Sequence, residues 1–342
     1  MTTKVAIAGA GYFSAYHLDG WQRLDGVEVC GILDPDRDRA SRLVSGTSIP
    51  TFASLEQLLN TVRPDVLDIV TPPETHAEIA LAAAQRNIDV IVQKPLAPSW
   101  DEAVQLVEAL GSLPVRFMVH ENWRWQPWYR AIKSLSDDGT TGRLFGASFR
   151  LRTGDGWQPD AYVERQPYFR FMPRLLLHET GIHLVDTFRF LLGEVETVHA
   201  ITHRRNAAIA GEDEAIVVLE FVDGATAVLD ASRYNEPDAG TPDPRYTFGT
   251  ARIDAERGHF QLPGDGQVMW KALGEDATVL LPNPPRIGFA GDSVHALQAH
   301  FLKCRRDGTA FEAEGDDYLR SVAVVEACYE AARSRRPTRV AY

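Results

Sequence analysis

The chain has 342 residues, 44% of them apolar, which is long enough for two domains and a sizeable core. A formal net charge of -12 excludes nucleic acid as a main partner, because phosphate-backbone binding needs a clustered excess of Lys and Arg. Cys30, Cys304 and Cys328 have no metal-ligand spacing and cannot all pair, and no apolar stretch approaches the ~18 residues of a membrane span. The expectation is a cytoplasmic protein with no metal site, no membrane partner and no signal-peptide-like start.

Lys4 to Ala8 is a short apolar strand that breaks at Gly9-Ala-Gly11, and Tyr12 to Leu24 then carries helical spacing. Strand, glycine turn and helix follow the dinucleotide fingerprint as Gly9-x-Gly11-x-x-Ser14, with serine in place of the third glycine. Gly9 makes the tight turn, Gly11 lets the backbone approach a pyrophosphate, and the helix start supplies amide donors and a positive dipole end. A plain structural turn is the competing reading. The next strand, Val27 to Asp34, ends in an acid where the fingerprint places a carboxylate on the adenosine ribose. That carboxylate accepts from the 2′-hydroxyl and repels a 2′-phosphate, so NAD is expected over NADP, although Arg37 and Arg39 lie close by. Asp34 before Pro35 also suits a helix cap.

Asp65 to Thr71 is another strand, ending in Thr71-Pro-Pro-Glu-Thr-His76, and an alanine-rich helix runs from about Thr75 to Arg86. His76, on its first turn, is either a capping and packing residue or part of a site. The β-branched run Asp89 to Gln93 predicts a strand buried on both faces. Lys94-Pro95 follows at the carboxyl end, where open α/β sheets bind ligands, unless the lysine merely caps its strand. A helix from Ser99 to Leu110 and a strand from Val115 to Glu121 complete an alternation that implies a parallel sheet with right-handed crossovers.

Beyond residue 121 the pattern changes, so residues 1–121 are read as one domain and 122–342 as a second. Asn122-Trp-Arg-Trp-Gln-Pro-Trp-Tyr129 is dense in aromatics and opens a helix at Pro127; a strand spans Leu144 to Thr153. Gly154 to Arg174, with Trp157, Tyr162, Tyr168, Phe169 and Phe171, reads as a long loop. Glu179 to Leu192 reads as a helix that sets Glu179, His183 and Asp186 on one face. An acid one turn before a histidine can orient the imidazole as a general base requires. An exposed polar face or a locally satisfied core histidine would give the same pattern. Ala215 to Phe221 and Ala225 to Ser232 flank Asp223-Gly224, a hairpin signal. Val217, Leu219 and Phe221 share one face; Ile216, Val218 and Val222 share the other, which needs cover, so a homodimer or homotetramer through this sheet is expected. Strands at Tyr246 to Asp254 and His259 to Leu262, then helices at Asp292 to Arg305 and Asp316 to Arg333, close an α+β domain with an open, largely antiparallel sheet.

Three signals stand in order: the glycine turn with Asp34, the strand-end Lys94-Pro95, and Glu179 with His183. Together they resemble the Gfo/Idh/MocA family, which includes glucose-fructose oxidoreductase and inositol dehydrogenase. The resemblance is close from Lys4 to about Arg150, through Thr71-Pro-Pro-Glu-Thr-His76 and Asn122-x-Arg124-x-x-Pro127, and looser afterwards. It implies an α/β fold: an N-terminal Rossmann doubly wound parallel sheet followed by an α+β domain whose sheet forms the oligomer contact. It also implies a nicotinamide cofactor and a small-molecule sugar or polyol substrate. The lysine of the family's Glu-Lys-Pro motif, which contacts the reacting hydroxyl, falls on Lys94, with Gln93 replacing the glutamate and removing a negative charge. The family's Asp-x-Gly-x-His pattern falls on Glu179-Thr-Gly-Ile-His183, making His183 the proton acceptor and Glu179 its orienting acid. Gly9, Gly11, Tyr12, Phe13 and Asp34 are the implied cofactor residues of the first turn. Thr71, Pro72, His76, Gln93 and Lys94 are those of the later strand ends. Asn122, Arg124 and Trp157 of the aromatic loop are read beside His183 as substrate contacts, because sugars present apolar faces and many hydroxyls, although tryptophan-rich segments also serve cores and interfaces. The expected reaction is NAD-dependent oxidation of a monosaccharide or cyclitol hydroxyl, giving a lactone from an aldose anomeric hydroxyl; an apiose-type pentose is one candidate. The alternatives are redox-neutral NAD-dependent glycoside processing and a non-catalytic NAD-binding sugar sensor.

Overall fold

The computed structural model describes residues 2–237 and 243–342. The chain packs as two units, Met1–Asn122 with Val294–Leu319, and Trp123–Ser293 with Arg320–Tyr342.

In the first unit, β1 (Thr3–Ala8), β2 (Val27–Leu33), β3 (Thr51–Phe52), β4 (Val66–Ile69), β5 (Asp89–Gln93) and β6 (Phe117–His120) form one sheet in the order β3-β2-β1-β4-β5-β6. Every pairing is parallel. Val5 to Ala8 and Val90 to Val92 are fully buried, as expected for β-branched runs covered by helices on both faces. The crossover helices are α1 (Ser14–Gln22), α2 (Arg37–Leu43), α3 (Leu55–Val62), α4 (His76–Ala84) and α5 (Trp100–Gly111). Side chains cap three of them. Asp36 accepts from the Arg39 amide at 3.0 Å and Ser54 from that of Gln57 at 3.4 Å. Ser99 accepts from the Glu102 amide at 3.3 Å and its hydroxyl donates to the Glu102 carboxylate at 2.6 Å.

Ala8 pairs with Ile69, and Ile69 with Val92, so β1, β4 and β5 end side by side. Gly9, Thr71 and Lys94 therefore leave the sheet along one edge. The segment Val294–Leu319, which sequence order alone groups with the second domain, packs with the first unit. Polar bonds tie it there: Gln298 donates to the His17 carbonyl at 3.1 Å, and the Val119 amide donates to the Ala313 carbonyl at 2.9 Å.

The second unit holds α6 (Pro127–Asp137), β7 (Leu144–Arg152), α7 (Ile182–Leu192), β8 (Val195–His203), β9 (Glu214–Phe221), β10 (Thr226–Ser232), β11 (Gly249–Ala255), β12 (Gly258–Leu262), β13 (Val268–Ala272), β14 (Thr278–Leu281) and β15 (Thr338–Arg339). The sheet order is β14-β13-β12-β11-β7-β10-β9-β8-β15. β7 and β10 are parallel, and the other pairings are antiparallel. One face is core, with Val217, Leu219 and Phe221 buried; on β8, β9 and the turn that follows, Ile201, Ile216 and Val222 are 58%, 46% and 63% exposed. Ile201 and Ile216 are cross-strand partners, so part of this exposed surface is contiguous.

The stretch expected as one helix from Glu179 begins differently. Leu176–Gly181 is a π-helical turn, and the α-helix proper starts at Ile182. The buried Glu212 carboxylate fixes this entry, accepting from the amides of Leu175 (3.1 Å) and Leu177 (2.9 Å) and from the Tyr329 hydroxyl. Amides that open a helix need such an acceptor when they are buried. Among the described residues, no helix is long and apolar enough to cross a membrane.

Candidate active site

The glycine turn fits a dinucleotide by its own geometry. Gly9 has φ +104°, and a Cβ there would lie 2.6 Å from the Val70 carbonyl oxygen, so only glycine lets β1 turn against β4. A Cβ on Gly11 would meet nothing within 4 Å, which leaves the backbone approachable from outside. Phe13, at the cap position of α1, has no polar side chain to offer the first amides; that of Ser14 donates to the Gly11 carbonyl at 3.2 Å and that of Tyr16 to the Phe13 carbonyl at 3.1 Å, and the positive end of the helix faces the glycine turn. Tyr12 beside it is half-exposed. Asp34, just past β2, is buried; its Oδ2 accepts from the Ala10 amide and its Oδ1 from the Asp36 amide, both at 2.8 Å. It knits the glycine turn to the end of β2 and retains lone pairs for a ribose hydroxyl. The Arg39 guanidinium lies 3.7 Å from Oδ2.

Thr71 and Pro72 follow β4 on the same edge, and the Thr75 hydroxyl donates to that of Thr71 at 2.7 Å. His76 is fully buried, and its ring nitrogens face chain carbonyls, Nδ1 at 3.0 Å from that of Leu96 and Nε2 at 2.8 Å from that of Thr71. Burial lowers its pKa, opposed by those carbonyls. It thus ties the loop after β4 to the loop after Lys94, and its polar atoms are used within the chain. Gln93 is buried as well: its Oε1 accepts from the Lys94 amide at 2.7 Å, and its Nε2 faces His17 at 3.1 Å and His120 at 3.4 Å. Lys94 itself is half-buried at the strand end. His17, Asp68 and His120 were missed in the sequence. A signal for the first two was present, because Asp68 interrupts an apolar strand and His17 and Trp21 stand one turn apart on α1.

In the second unit, His183 sits on the first turn of α7 and stacks on the Trp123 ring, with centroids 4.7 Å apart and planes 5° from parallel. Trp123 is 1% exposed and also packs on Phe248 at 4.9 Å. Phe248 has φ +62°, a left-handed backbone that costs a bulky residue ~1–3 kcal/mol and recurs at functional sites. The Glu179 Oε2 accepts from the Thr180 hydroxyl at 2.6 Å and from Arg233 at 3.3 Å. Arg233, 3% exposed on its side chain, also meets Asp155 at 2.7 Å. Burial pushes the Asp155 carboxyl up, but Arg233, with Thr153 and Arg165, outweighs it and holds the group below the usual carboxylate range. This cluster, also absent from the sequence reading, joins the long loop to the π-turn and the end of β10.

Arg124 is buried in a two-bond pair with Asp186, at 2.8 and 2.6 Å, and the Ser321 hydroxyl donates to the same carboxylate at 3.0 Å. Asp186, one turn along α7 from His183, is thus taken up by Arg124 and Ser321. Asn122 is buried at the end of the first unit, and Trp157 is 40% exposed on the long loop. Among the described residues, no group of three or more His, Cys, Asp or Glu could hold a metal ion.

A doubly wound sheet in this strand order, with a glycine turn on β1 and an acid after β2, defines an NAD-binding Rossmann oxidoreductase. The family comparison agrees: residues 3–121 match the oxidoreductase family with NAD-binding Rossmann fold, and residues 129–260 match the GFO/IDH/MocA C-terminal domain. The chain belongs to the GFO/IDH/MocA oxidoreductase family. It is 32% identical to a D-apiose dehydrogenase of Paraburkholderia graminis over 97% of this chain and 88% of that one. A D-apiose dehydrogenase of Rhizobium rhizogenes is 30% identical over 97% and 96%. A crystal structure of an oxidoreductase from Agrobacterium radiobacter in complex with NAD+, L-tartaric acid and magnesium superposes with a TM-score of 0.89 at 28% identity, covering 99% of this chain and 98% of that one.

Proposed function

We propose that this oxidoreductase oxidises a hydroxyl of a monosaccharide, with D-apiose the first substrate to test and a lactone the product if the anomeric hydroxyl reacts. The observation that carries this is the place of Lys94, a half-buried ammonium on the strand edge shared by the glycine turn. Similarity over nearly the whole chain to two D-apiose dehydrogenases supports the substrate class. When bound, NAD supplies the hydride acceptor at nicotinamide C4. Gly9, Gly11 and the start of α1 hold its pyrophosphate, and Asp34 accepts from its ribose. Lys94 Nζ hydrogen-bonds the reacting hydroxyl oxygen and stabilises charge on it as the O–H bond breaks. The imidazole of His183 takes that proton, with Trp123 fixing the plane of the ring. Glu179, restrained by Arg233, sets the local charge rather than acting alone as an orienting acid. NAD reduction with D-apiose, measured beside other aldoses and cyclitols, tests the assignment.

The exposed face around Ile201 and Ile216 suits a second copy of this chain. Its apolar centre is flanked by Arg152–Asp230 and His199–Glu220 pairs, charges of both signs that a two-fold axis can match. Light scattering should give a dimer or tetramer for the native chain and a smaller species for Ile216→Glu. A native monomer would dismiss the interface.

A further inference from the structure

The strand end that carries Lys94 rests on a buried polar relay. Asp68 on β4, His17 on α1, Gln93 on β5 and His120 on β6 are all buried in the first unit. Gln93 sets the direction of every bond in it. A backbone N–H only donates, so the side-chain atom that meets the Lys94 amide at 2.7 Å must be the Gln93 carbonyl oxygen. The NH2 group then points at His17 Nε2 and His120 Nδ1, at 3.1 and 3.4 Å, and it has only hydrogens to offer. Both of those ring nitrogens must accept. The His17 proton therefore sits on Nδ1, where it donates to Asp68 Oδ2 at 2.8 Å; the same oxygen takes the Trp21 indole N–H at 2.6 Å. By the same logic His120 carries its proton on Nε2. The two imidazoles lie with centroids 4.1 Å apart, so two neutral rings are also the arrangement with the least charge repulsion. The charged residues of these elements are Asp19 on α1, Asp68 on β4, Asp89 at the start of β5, Lys94 after it and Glu121 next to His120, and the helix Ser293–Asp307 contributes the amide of Gln298 against the His17 carbonyl.

We infer that Gln93 is a positioning residue for the reaction, holding the Lys94 backbone amide and fixing two neutral histidine tautomers beneath it. This rests on Lys94 acting in turnover. A glutamate at this position could still accept from the Lys94 amide, but its second oxygen would face two ring lone pairs. The relay would then close only by taking up one more proton, on the carboxyl or on an imidazole. Gln93 makes the anchorage of Lys94 independent of that proton.

The test uses the full chain labelled with 15N at histidine, with His17 and His120 assigned from His17→Gln and His120→Gln spectra. Long-range proton–nitrogen correlations should show His17 protonated at Nδ1 and His120 at Nε2. With NAD and D-apiose, Gln93→Glu should lower kcat by about 10–100-fold, the effect of leaving buried polar groups without their hydrogen bonds. The deficit should deepen as pH rises and the extra proton is lost, while NAD affinity stays near the native value; the urea midpoint should fall with rising pH for the same reason. A purely structural role for Gln93 would show that pH dependence in the urea midpoint alone and not in kcat of the folded enzyme. His17 seen protonated at Nε2, or His120 at Nδ1, overturns the relay. A Gln93→Glu enzyme whose pH profile matches the native one overturns the positioning role. If the tautomers are as stated but Lys94→Ala still turns over, the assignment of Lys94 fails instead, and the positioning role fails with it.

Discussion

Lys94→Ala should lower kcat by about 10²–10⁴-fold while NAD affinity stays close to native, because in the proposed reaction the lysine meets the reacting oxygen rather than the cofactor's pyrophosphate or ribose. The fold should survive. Val90 to Val92 supply the buried part of β5, whereas Lys94 is only half-buried and its side chain is not part of the core. A loss in kcat and kcat/KM together identifies an interaction made in the transition state, and a rise in KM alone would mean plain substrate binding. Lys94→Arg is the sharper control. It keeps the positive charge but replaces a compact ammonium with a planar fork, so it should recover little activity if the lysine must fit one oxygen. Turnover near the native level in Lys94→Ala would refute the role.

The second large effect is on stability. Arg233→Met removes a buried guanidinium that meets both Asp155 and Glu179, leaving Asp155 with Arg165 and Thr153 and Glu179 with Thr180, at an expected cost of about 3–5 kcal/mol by urea titration. The pH dependence should change as well. In the native chain the Asp155 carboxyl lies below its unfolded value of about 3.9, so its contribution is present above that pH and is lost as pH falls through the lower, folded value. Without Arg233, burial of Asp155 is opposed only by Thr153 and Arg165, and the folded carboxyl holds its proton more tightly than in the native chain. The variant should therefore regain stability relative to the native chain as pH is lowered toward the carboxylate range. A loss below about 1 kcal/mol, the size expected of an exposed pair, would mean that the cluster is screened by solvent. The long loop and the π-turn should loosen together in the variant, because Arg233 is bonded to Asp155 on one and to Thr180 on the other.

What could be read from the sequence follows the range of the interactions. The turn at Gly9, the acid at Asp34 and the strand end at Lys94 are local: a glycine, a β-branched run and a proline each constrain the backbone where they stand. Their side-by-side placement followed from the rule for parallel crossovers. The Asp68–His17–Gln93–His120 relay was hidden because His17 and Gln93 are 76 positions apart and meet only once the sheet is assembled. The pairing of Arg124, read as a substrate contact, with Asp186, read only as sharing a face with His183, was hidden for the same reason, the two being 62 positions apart. The helix at Glu179 failed differently. Its spacing suits an α-helix, but the π-turn at Leu176–Gly181 is imposed by Glu212 and Tyr329, which lie far along the chain. Strand β8 and the pair β13–β14 went unread because their exposed or half-buried residues leave weak alternation. Val294–Leu319 was assigned by sequence order, and only its packing against α1 and β6 shows where it belongs.

The central claim, that this chain moves hydride from a sugar hydroxyl to NAD, is tested most directly by following NADH absorbance with purified enzyme, NAD and a panel of aldoses, cyclitols and sugar acids that includes D-apiose. The account predicts steady NADH formation with one or a few members of the panel, D-apiose among them, and one lactone or ketone produced per NADH. Bound NAD with no net NADH from any member would contradict it.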